Sequence, residues 1–129
     1  MPTILVVDDD DLLRDFLHQT LVRAGYEVED VADGTAALAA YRRRLHDLVI
    51  TDIVMPDKEG LETITTLRRL NTDVRIIAIS GGGVGRADDY LDVAKKLGAA
   101  RVLAKPFSVN EIVTAVAEVL ARPLDKHAR

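Results

Sequence analysis

Five side chains that could act together in chemistry are placed where short apolar runs of this sequence end. Asp8 and Asp9 follow the first run, Asp52 ends the third, Ser80 follows the fourth, and Lys105 follows the fifth. Carboxylate oxygens bind hard divalent cations, whereas ammonium and hydroxyl groups contact phosphoryl oxygens. The set therefore predicts a site for a cation and a phosphoryl group, provided that the fold brings these residues together.

Three carboxylates in one site would repel one another strongly. At a separation of about 4 Å and an effective dielectric of about 20, each contacting pair costs about 4 kcal/mol. Lys105 supplies one positive charge, and carboxylates without His or Cys nearby suit Mg²⁺, which makes the formal charge sum zero. A phosphoryl group on Asp52 would be within reach of the metal, Lys105 and the Ser80 hydroxyl. We infer phosphoryl transfer to an aspartate.

The patterns around these residues predict the elements that position them. Ile4–Val7 is a short apolar run rich in β-branched residues, which indicates a strand covered on both faces, whereas the alternation in Tyr26–Val31 indicates an edge strand. Apolar residues three and four positions apart predict helices between the strands. Strands are predicted near 4–7, 26–31, 48–52, 74–79 and 101–104, and helices near 11–24, 35–45, 61–70, 90–97 and 109–120.

Strands and helices therefore alternate five times, which predicts an α/β fold with a parallel sheet and helices on both faces. The edge character of the second strand favours a flavodoxin-like three-layer sandwich with five helices and strand order 2-1-3-4-5. In this order the carboxyl ends of strands one, three, four and five lie side by side. Ligands bind at that edge of open α/β sheets.

Composition excludes several classes of function. The 129 residues correspond to one domain, and the net charge of -4, with 4% aromatic residues and no basic patch, argues against a nucleic-acid surface. The chain has no cysteine, which excludes disulfides and thiolate metal sites. The sequence shows no signal peptide or membrane span, so we expect a soluble cytoplasmic protein.

The motifs in their order resemble the receiver domain of two-component response regulators, in particular the single-domain, chemotaxis-receiver-like members. The motifs that carry the resemblance are Ile4–Asp9, Asp47–Gly60, Ile79–Gly81, Gly98–Ala100 and Lys105–Phe107. The resemblance covers the chain from about Thr3 to Arg122. It implies a receiver domain over residues 1–122, followed by a short polar tail over residues 123–129, with no output domain in this chain.

The resemblance implies that Asp52 is the phosphoacceptor and that a sensor histidine kinase or a histidine phosphotransfer protein is the donor. It implies Mg²⁺ bound directly by Asp9, Asp52 and the backbone carbonyl of Val54, with Asp8 acting through water.

The remaining predicted site residues are Ser80, whose hydroxyl would contact the phosphoryl group, and Lys105, its charge partner. A cis Lys105–Pro106 bond is also expected. A phosphoacceptor of this kind assists its own phosphorylation and slow dephosphorylation but is not otherwise an enzyme.

Two departures from the family pattern bear on switching. Val102 stands where the family often has Tyr or Phe, so a rotating aromatic cannot report phosphorylation. Val54 and Gly82 stand where polar groups often position attacking water, so we expect slow loss of the phosphoryl group. We expect signalling through contacts of the fourth helix, fifth strand and fifth helix with a downstream protein that the sequence does not identify.

Two alternatives stay open at this point. The chain could be a receiver domain excised from a larger regulator or a hybrid kinase. It could also be a Mg²⁺ phosphohydrolase of the haloacid-dehalogenase type, because Asp8-Asp9-Asp10 is an Asp-x-Asp motif after the first strand; Asp8 would then be the nucleophile. The short chain without a cap domain and the absence of a later acidic pair at a strand end argue against the hydrolase.

Overall fold

The computed structural model describes residues 1–53, 59–80 and 94–122. The strands are β1 (Thr3–Val7), β2 (Glu27–Val31), β3 (Leu48–Asp52), β4 (Ile76–Ser80) and β5 (Arg101–Ala104). The helices are α1 (Asp11–Arg23), α2 (Gly34–Arg43), α3 (Glu59–Leu70), α4, of which residues 94–96 are described, and α5 (Val109–Ala121).

The five strands form one parallel sheet in the order β2-β1-β3-β4-β5. This order confirms the flavodoxin-like fold predicted from the sequence. Strand β3 is buried along its whole length, whereas the residues of β2 are exposed or half-buried, as predicted for an edge strand. A parallel sheet with helical crossovers is covered on both faces, which explains the apolar character of the inner strands.

Side chains that alternate along the strands build two separate cores. Leu5 and Val7 point to the face that α2 and α3 cover, whereas Ile4 and Val6 point to the face that α1 and α5 cover. Both sets are almost fully buried. Because side chains alternate with a period of two along a strand, a shift of one residue in register would exchange the two cores, so the register is strongly determined.

Side chains cap the amino ends of the two helices beside the site. Asp10 caps α1 by accepting hydrogen bonds from the backbone N–H groups of Leu12 and Leu13. Ser108 and Glu111 form a capping box at the start of α5. These caps orient the first turns of the two helices that flank the carboxyl edge of the sheet.

Helix α2 ends earlier than predicted, at Arg43 rather than Leu45, because Arg44 takes an extended conformation. The Arg43 guanidinium binds Glu29 at 2.9 Å, and Arg44 binds Glu27 on the same edge strand. Arg43 and Arg44 therefore form ion pairs with the edge strand β2. In the described part of the chain, no helix has the length and apolar character needed to cross a membrane.

Candidate functional site

The predicted site residues meet at the carboxyl edge of the sheet. Asp8 follows β1 directly, Asp52 is the last residue of β3, and Ser80 is the last residue of β4. Lys105 follows β5, and its backbone N–H donates a hydrogen bond of 2.8 Å to the Ser80 carbonyl. The parallel register therefore brings together side chains that are far apart in the sequence.

Three carboxylates form the core of the site. Asp8, Asp9 and Asp52 each place one oxygen within 4.8 Å of the others. Asp8 and Asp52 are 1% and 4% exposed, whereas Asp9 lies at the surface. Two buried acids and one exposed acid form a group that solvent reaches from one side. Desolvation of the buried carboxylates is the main electrostatic cost of this arrangement, and the repulsion between them adds to it.

Lys105 partly compensates that cost. Its ammonium nitrogen lies 3.0 Å from Oδ2 of Asp52 and 3.5 Å from Oδ2 of Asp8. Burial alone would lower the pKa of Lys105, but the contacts with Asp52 and Asp8 outweigh it, so the pKa lies above the ordinary value of 10.5. The lysine is therefore charged at neutral pH and bridges the two buried carboxylates.

The surroundings of Asp8 disfavour its ionised form. Burial raises its pKa above the ordinary value of 3.8, and the charge of Asp52 adds to this effect. The hydrogen bond that its Oδ1 accepts from the N–H of Asp10, at 2.8 Å, and the charge of Lys105 oppose it only in part. Its Oδ2 is buried, and the contact of this oxygen with the Lys105 ammonium, at 3.5 Å, is an ion pair without the geometry of a hydrogen bond.

These properties fit a divalent cation. All three candidate ligands are carboxylate oxygens, as Mg²⁺ prefers, and a cation would satisfy the buried Oδ2 of Asp8. Three carboxylates and one lysine leave two negative charges, which a divalent ion balances. The carbonyl of Val54, the further predicted ligand, lies outside the described residues.

The other predicted features have mixed outcomes. The Lys105–Pro106 peptide bond is cis, as expected. Ser80 is fully buried at the same edge of the sheet, and its contact with a phosphoryl group stays a prediction. Val102 is half-buried and packs against the core under α2 and α3. Gly82, which entered the expectation of slow phosphoryl loss, lies outside the described residues.

Gly60 is a site residue whose role the sequence did not reveal. A Cβ atom at Gly60 would lie 2.4 Å from Cα of Ile53 and 2.5 Å from the carbonyl oxygen of Asp52. The first turn of α3 therefore lies directly against the backbone that carries Asp52. In the sequence Gly60 stands out only as the last residue of the Asp47–Gly60 motif, because a contact between two backbones has no signature beyond the glycine itself.

Comparisons with known proteins agree with this geometry. A family model, described as the response regulator receiver domain, matches residues 4–117. The receiver domain of NtrX from Brucella abortus has a similar crystal structure, with a TM-score of 0.87 and 28% sequence identity over 93% of this chain and 99% of that one.

Two curated relatives differ greatly in length. The DNA-binding transcriptional regulator NtrC of Azospirillum brasilense is 38% identical over 121 residues, which are 92% of this chain and 24% of that protein. The response regulator receiver protein CpdR of Brucella abortus is 31% identical over 93% of this chain and 98% of its own length. The chain thus spans about a quarter of one relative and nearly all of the other.

Proposed function

Because this chain belongs to the response regulator receiver domain family, we propose that Asp52 is its phosphoacceptor and that Mg²⁺ binds beside it. Members of this family are phosphoacceptors in two-component signalling and not catalytic enzymes. The observation that carries the assignment is the position of Asp52. Its carboxylate ends a buried central strand, lies 3.0 Å from the Lys105 ammonium and shares a cation-sized cluster with Asp8 and Asp9.

The proposed step is transfer from a phosphohistidine. One carboxylate oxygen of Asp52 attacks the phosphorus, the phosphorus–nitrogen bond of the donor breaks, and an acyl phosphate forms on Asp52. The leaving imidazole keeps the bonding electron pair and takes a proton from solvent. The rate of such a step depends on alignment and on stabilisation of the phosphoryl oxygens, which the surrounding residues supply.

Each remaining residue has a part that its position supports. Asp9, Asp52 and the backbone carbonyl of Val54 would bind the cation directly, and Asp8 would hold it through a water molecule. A bound Mg²⁺ would neutralise negative charge on the transferring phosphoryl oxygens. Lys105 is charged and already contacts Asp52, so it stays available to pair with the phosphoryl group. We assign the buried hydroxyl of Ser80 as a further donor to the phosphoryl oxygens.

Asp8 is the competing nucleophile, and its environment argues against that role. One of its oxygens accepts the N–H of Asp10, the other is buried, and the residue is only 1% exposed. Burial does not distinguish Asp8 from Asp52, which is 4% exposed, but the raised pKa of Asp8 disfavours its ionised, nucleophilic form, and the Asp10 N–H already occupies one of its oxygens. The environment of Asp8 fits better with a carboxylate that helps to hold the cation and does not attack the phosphorus.

The wider biology follows from the same assignment. We propose that a sensor histidine kinase or a histidine phosphotransfer protein is the donor, and that a downstream protein binds the face formed by α4, β5 and α5. The domain would extend over residues 1–122 and act in the cytoplasm. A receiver excised from a larger regulator or hybrid kinase would use the same site, so the chemistry proposed for Asp52 does not depend on this choice.

The test is phosphorylation by a small acyl phosphate with Mg²⁺, followed by intact-mass measurement. The wild-type chain is expected to gain one phosphoryl group, and Asp52→Asn is expected to gain none. Asp15→Asn is the matched control, because Asp15 is an exposed acid on α1 whose carboxylate accepts a hydrogen bond of 3.0 Å from the Gln19 side chain. Removal of Mg²⁺ with a chelator should abolish the gain.

Borohydride reduction and peptide mass mapping then locate the labelled aspartate. Label on Asp52 supports the phosphoacceptor assignment, and label on Asp8 would favour the phosphohydrolase alternative. Equal labelling of the wild type and Asp52→Asn, with both proteins folded by circular dichroism, would refute the assignment of Asp52.

A further inference from the structure

One guanidinium group connects three elements behind the acidic site. Arg14, on α1, donates from Nη1 to the backbone carbonyl of Asp8 at 2.9 Å. It also donates from Nη2 to Asp11 at 2.6 Å, and its Nε lies 3.3 Å from Oδ1 of Asp30 on β2. The Arg14 side chain is only 19% exposed. The planar group therefore has partners for several of its donors in one fixed orientation.

The carbonyl that Arg14 binds has a special position. It belongs to the peptide unit that joins Asp8 to Asp9, so its orientation influences where both carboxylates point. On the other side, the N–H of Asp8 donates to the carbonyl of Val31 at 3.2 Å. Arg14 and β2 thus hold the backbone of Asp8 on both sides, one at its carbonyl and the other at its N–H.

Arg14 is itself held in place. Asp30 accepts Arg14 at one oxygen and contacts Nδ1 of His18 at 2.6 Å with the other. Because Asp30 is 31% exposed and lies on the edge strand, this pair anchors the guanidinium to the sheet rather than to a mobile surface group. Because Arg14 is already held in one orientation, little of its conformational entropy is lost when it binds and orders the backbone at Asp8.

We propose that Arg14 is a positioning residue for the cation site, which orients the Asp8–Asp9 peptide so that both carboxylates face one divalent ion. This inference rests on the proposed function, because it takes the cluster of Asp8, Asp9 and Asp52 to be a metal site. Arg14 contacts neither the ion nor the phosphoryl group. Its effect passes through the backbone carbonyl of Asp8, as in supporting residues outside other metal sites.

The charge of Arg14 by itself predicts that removing this residue would change the metal affinity in the opposite direction. A guanidinium near three carboxylates repels an incoming cation, so removing it would tighten metal binding if electrostatics were its only effect. Loss of a positioning contact would instead weaken metal binding. The sign of the change in affinity therefore separates the two effects.

The experiment measures Mn²⁺ binding to the metal-free protein by electron paramagnetic resonance of the free ion. Arg14→Gln is expected to raise the Kd about tenfold, the lower end of the loss typical for supporting residues around metal sites. Arg43→Gln is the matched control, because Arg43 also pairs with an acid of β2, Glu29, from a helix. We expect the control to keep the wild-type Kd within about twofold, since surface ion pairs contribute little.

Two further variants keep the proposal testable if Arg14→Gln folds poorly. Arg14→Lys keeps the charge but has no planar group to reach all three partners, so it too should bind Mn²⁺ more weakly. Asp30→Asn keeps Arg14 but loosens its anchor, and an intermediate rise in Kd is expected; because the loss of a negative charge acts in the same direction, only an unchanged or lower Kd in this variant is decisive, and it counts against the positioning role. Circular dichroism checks that each variant is folded before titration.

The outcomes separate the inference from the proposed function. If the wild type binds no Mn²⁺ and gains no phosphoryl group, the proposed function fails. If the wild type binds Mn²⁺ and folded Arg14→Gln and Asp30→Asn bind it equally or more tightly, the positioning role fails while the function stands. Support requires weaker binding in Arg14→Gln, or in the charge-conserving Arg14→Lys if the former is unfolded, with Arg43→Gln unchanged.

Discussion

Replacing Gly60 with alanine should destabilise the protein, although a helical glycine usually behaves the other way. Gly60 lies in the first turn of α3 and has no side chain to pack. Exchange of glycine for alanine inside a helix ordinarily stabilises a protein by about 0.5–1 kcal/mol, because alanine loses less backbone entropy on folding. Helix propensity alone therefore predicts a gain in the free energy of unfolding.

The contact with β3 reverses that expectation. The new Cβ would lie 2.4 Å from Cα of Ile53 and 2.5 Å from the Asp52 carbonyl oxygen, whereas carbon atoms in contact prefer about 3.5–4.0 Å. Relief therefore requires α3 and the end of β3 to separate by about 1 Å. Both atoms belong to the backbone, so no side chain can turn away. Overpacking of this kind costs about 1–3 kcal/mol, which exceeds the gain in propensity.

Gly25→Ala separates steric from conformational effects. Gly25 has a φ of +101°, but a Cβ there would meet no atom within 4 Å. Its replacement should cost about 1–2 kcal/mol through backbone strain alone. It precedes β2 at the opposite end of the sheet from Asp52, so the phosphorylation rate should not change.

Urea unfolding followed by circular dichroism measures both stabilities. We expect Gly60→Ala to lower the free energy of unfolding by about 1–2 kcal/mol and also to slow phosphorylation, since the displaced backbone carries Asp52. Gly25→Ala should lower stability only. An unfolding free energy of Gly60→Ala equal to or above that of the wild type would refute the reasoning from close contact.

Further predictions concern the acidic site and the last helix. Asp8→Asn should stabilise the metal-free protein at neutral pH. Because the pKa of Asp8 in the folded state is raised above 3.8, the stability of the wild type falls as the pH rises from 3.8 through the folded-state pKa. Urea unfolding measured at a series of pH values should show that the gain in unfolding free energy of Asp8→Asn over the wild type vanishes below pH 3.8. A lower unfolding free energy of Asp8→Asn at neutral pH would contradict this prediction. Lys105→Met should cost about 1–3 kcal/mol, because it leaves Asp8 and Asp52 without their ammonium partner; Lys95→Met, at an exposed position, is the control, and equal unfolding energies would argue against the pairing. Ser108→Ala should cost about 0.5–2 kcal/mol through loss of the capping box, with an unchanged phosphorylation rate. Radiolabel release should show that the Asp52 phosphoryl group survives far longer than seconds; a half-life of seconds would contradict the expectation drawn from Val54 and Gly82.

Local patterns in the sequence determined the elements and much of the topology. The apolar runs before Asp8 and Asp52, the alternation in β2 and the Ser108–Glu111 spacing each depend on residues near one another in the chain. Periodicity, capping and turn chemistry act over such short distances, so they can be read without coordinates. Because parallel strands place their carboxyl ends on one edge, even the grouping of the site residues followed from strand order.

The tertiary structure decided what happens between elements. It shows that Asp8 and Asp52 are buried while Asp9 is exposed, and that Lys105 contacts both buried acids. Side chains from different strands acquire distances and burial only when register and packing are set. The sequence could therefore predict which charged side chains lie together, but not which of them are buried.

The roles of Gly60 and Arg14 likewise required the fold. A glycine at a helix start and an arginine on a surface helix are common, and neither has a local pattern that distinguishes it. Gly60 matters because the backbones of α3 and β3 approach too closely for a Cβ, and Arg14 because its donors reach the Asp8 carbonyl and Asp30 on another strand. Both are contacts between distant parts of the chain, which packing in three dimensions creates and local sequence does not encode.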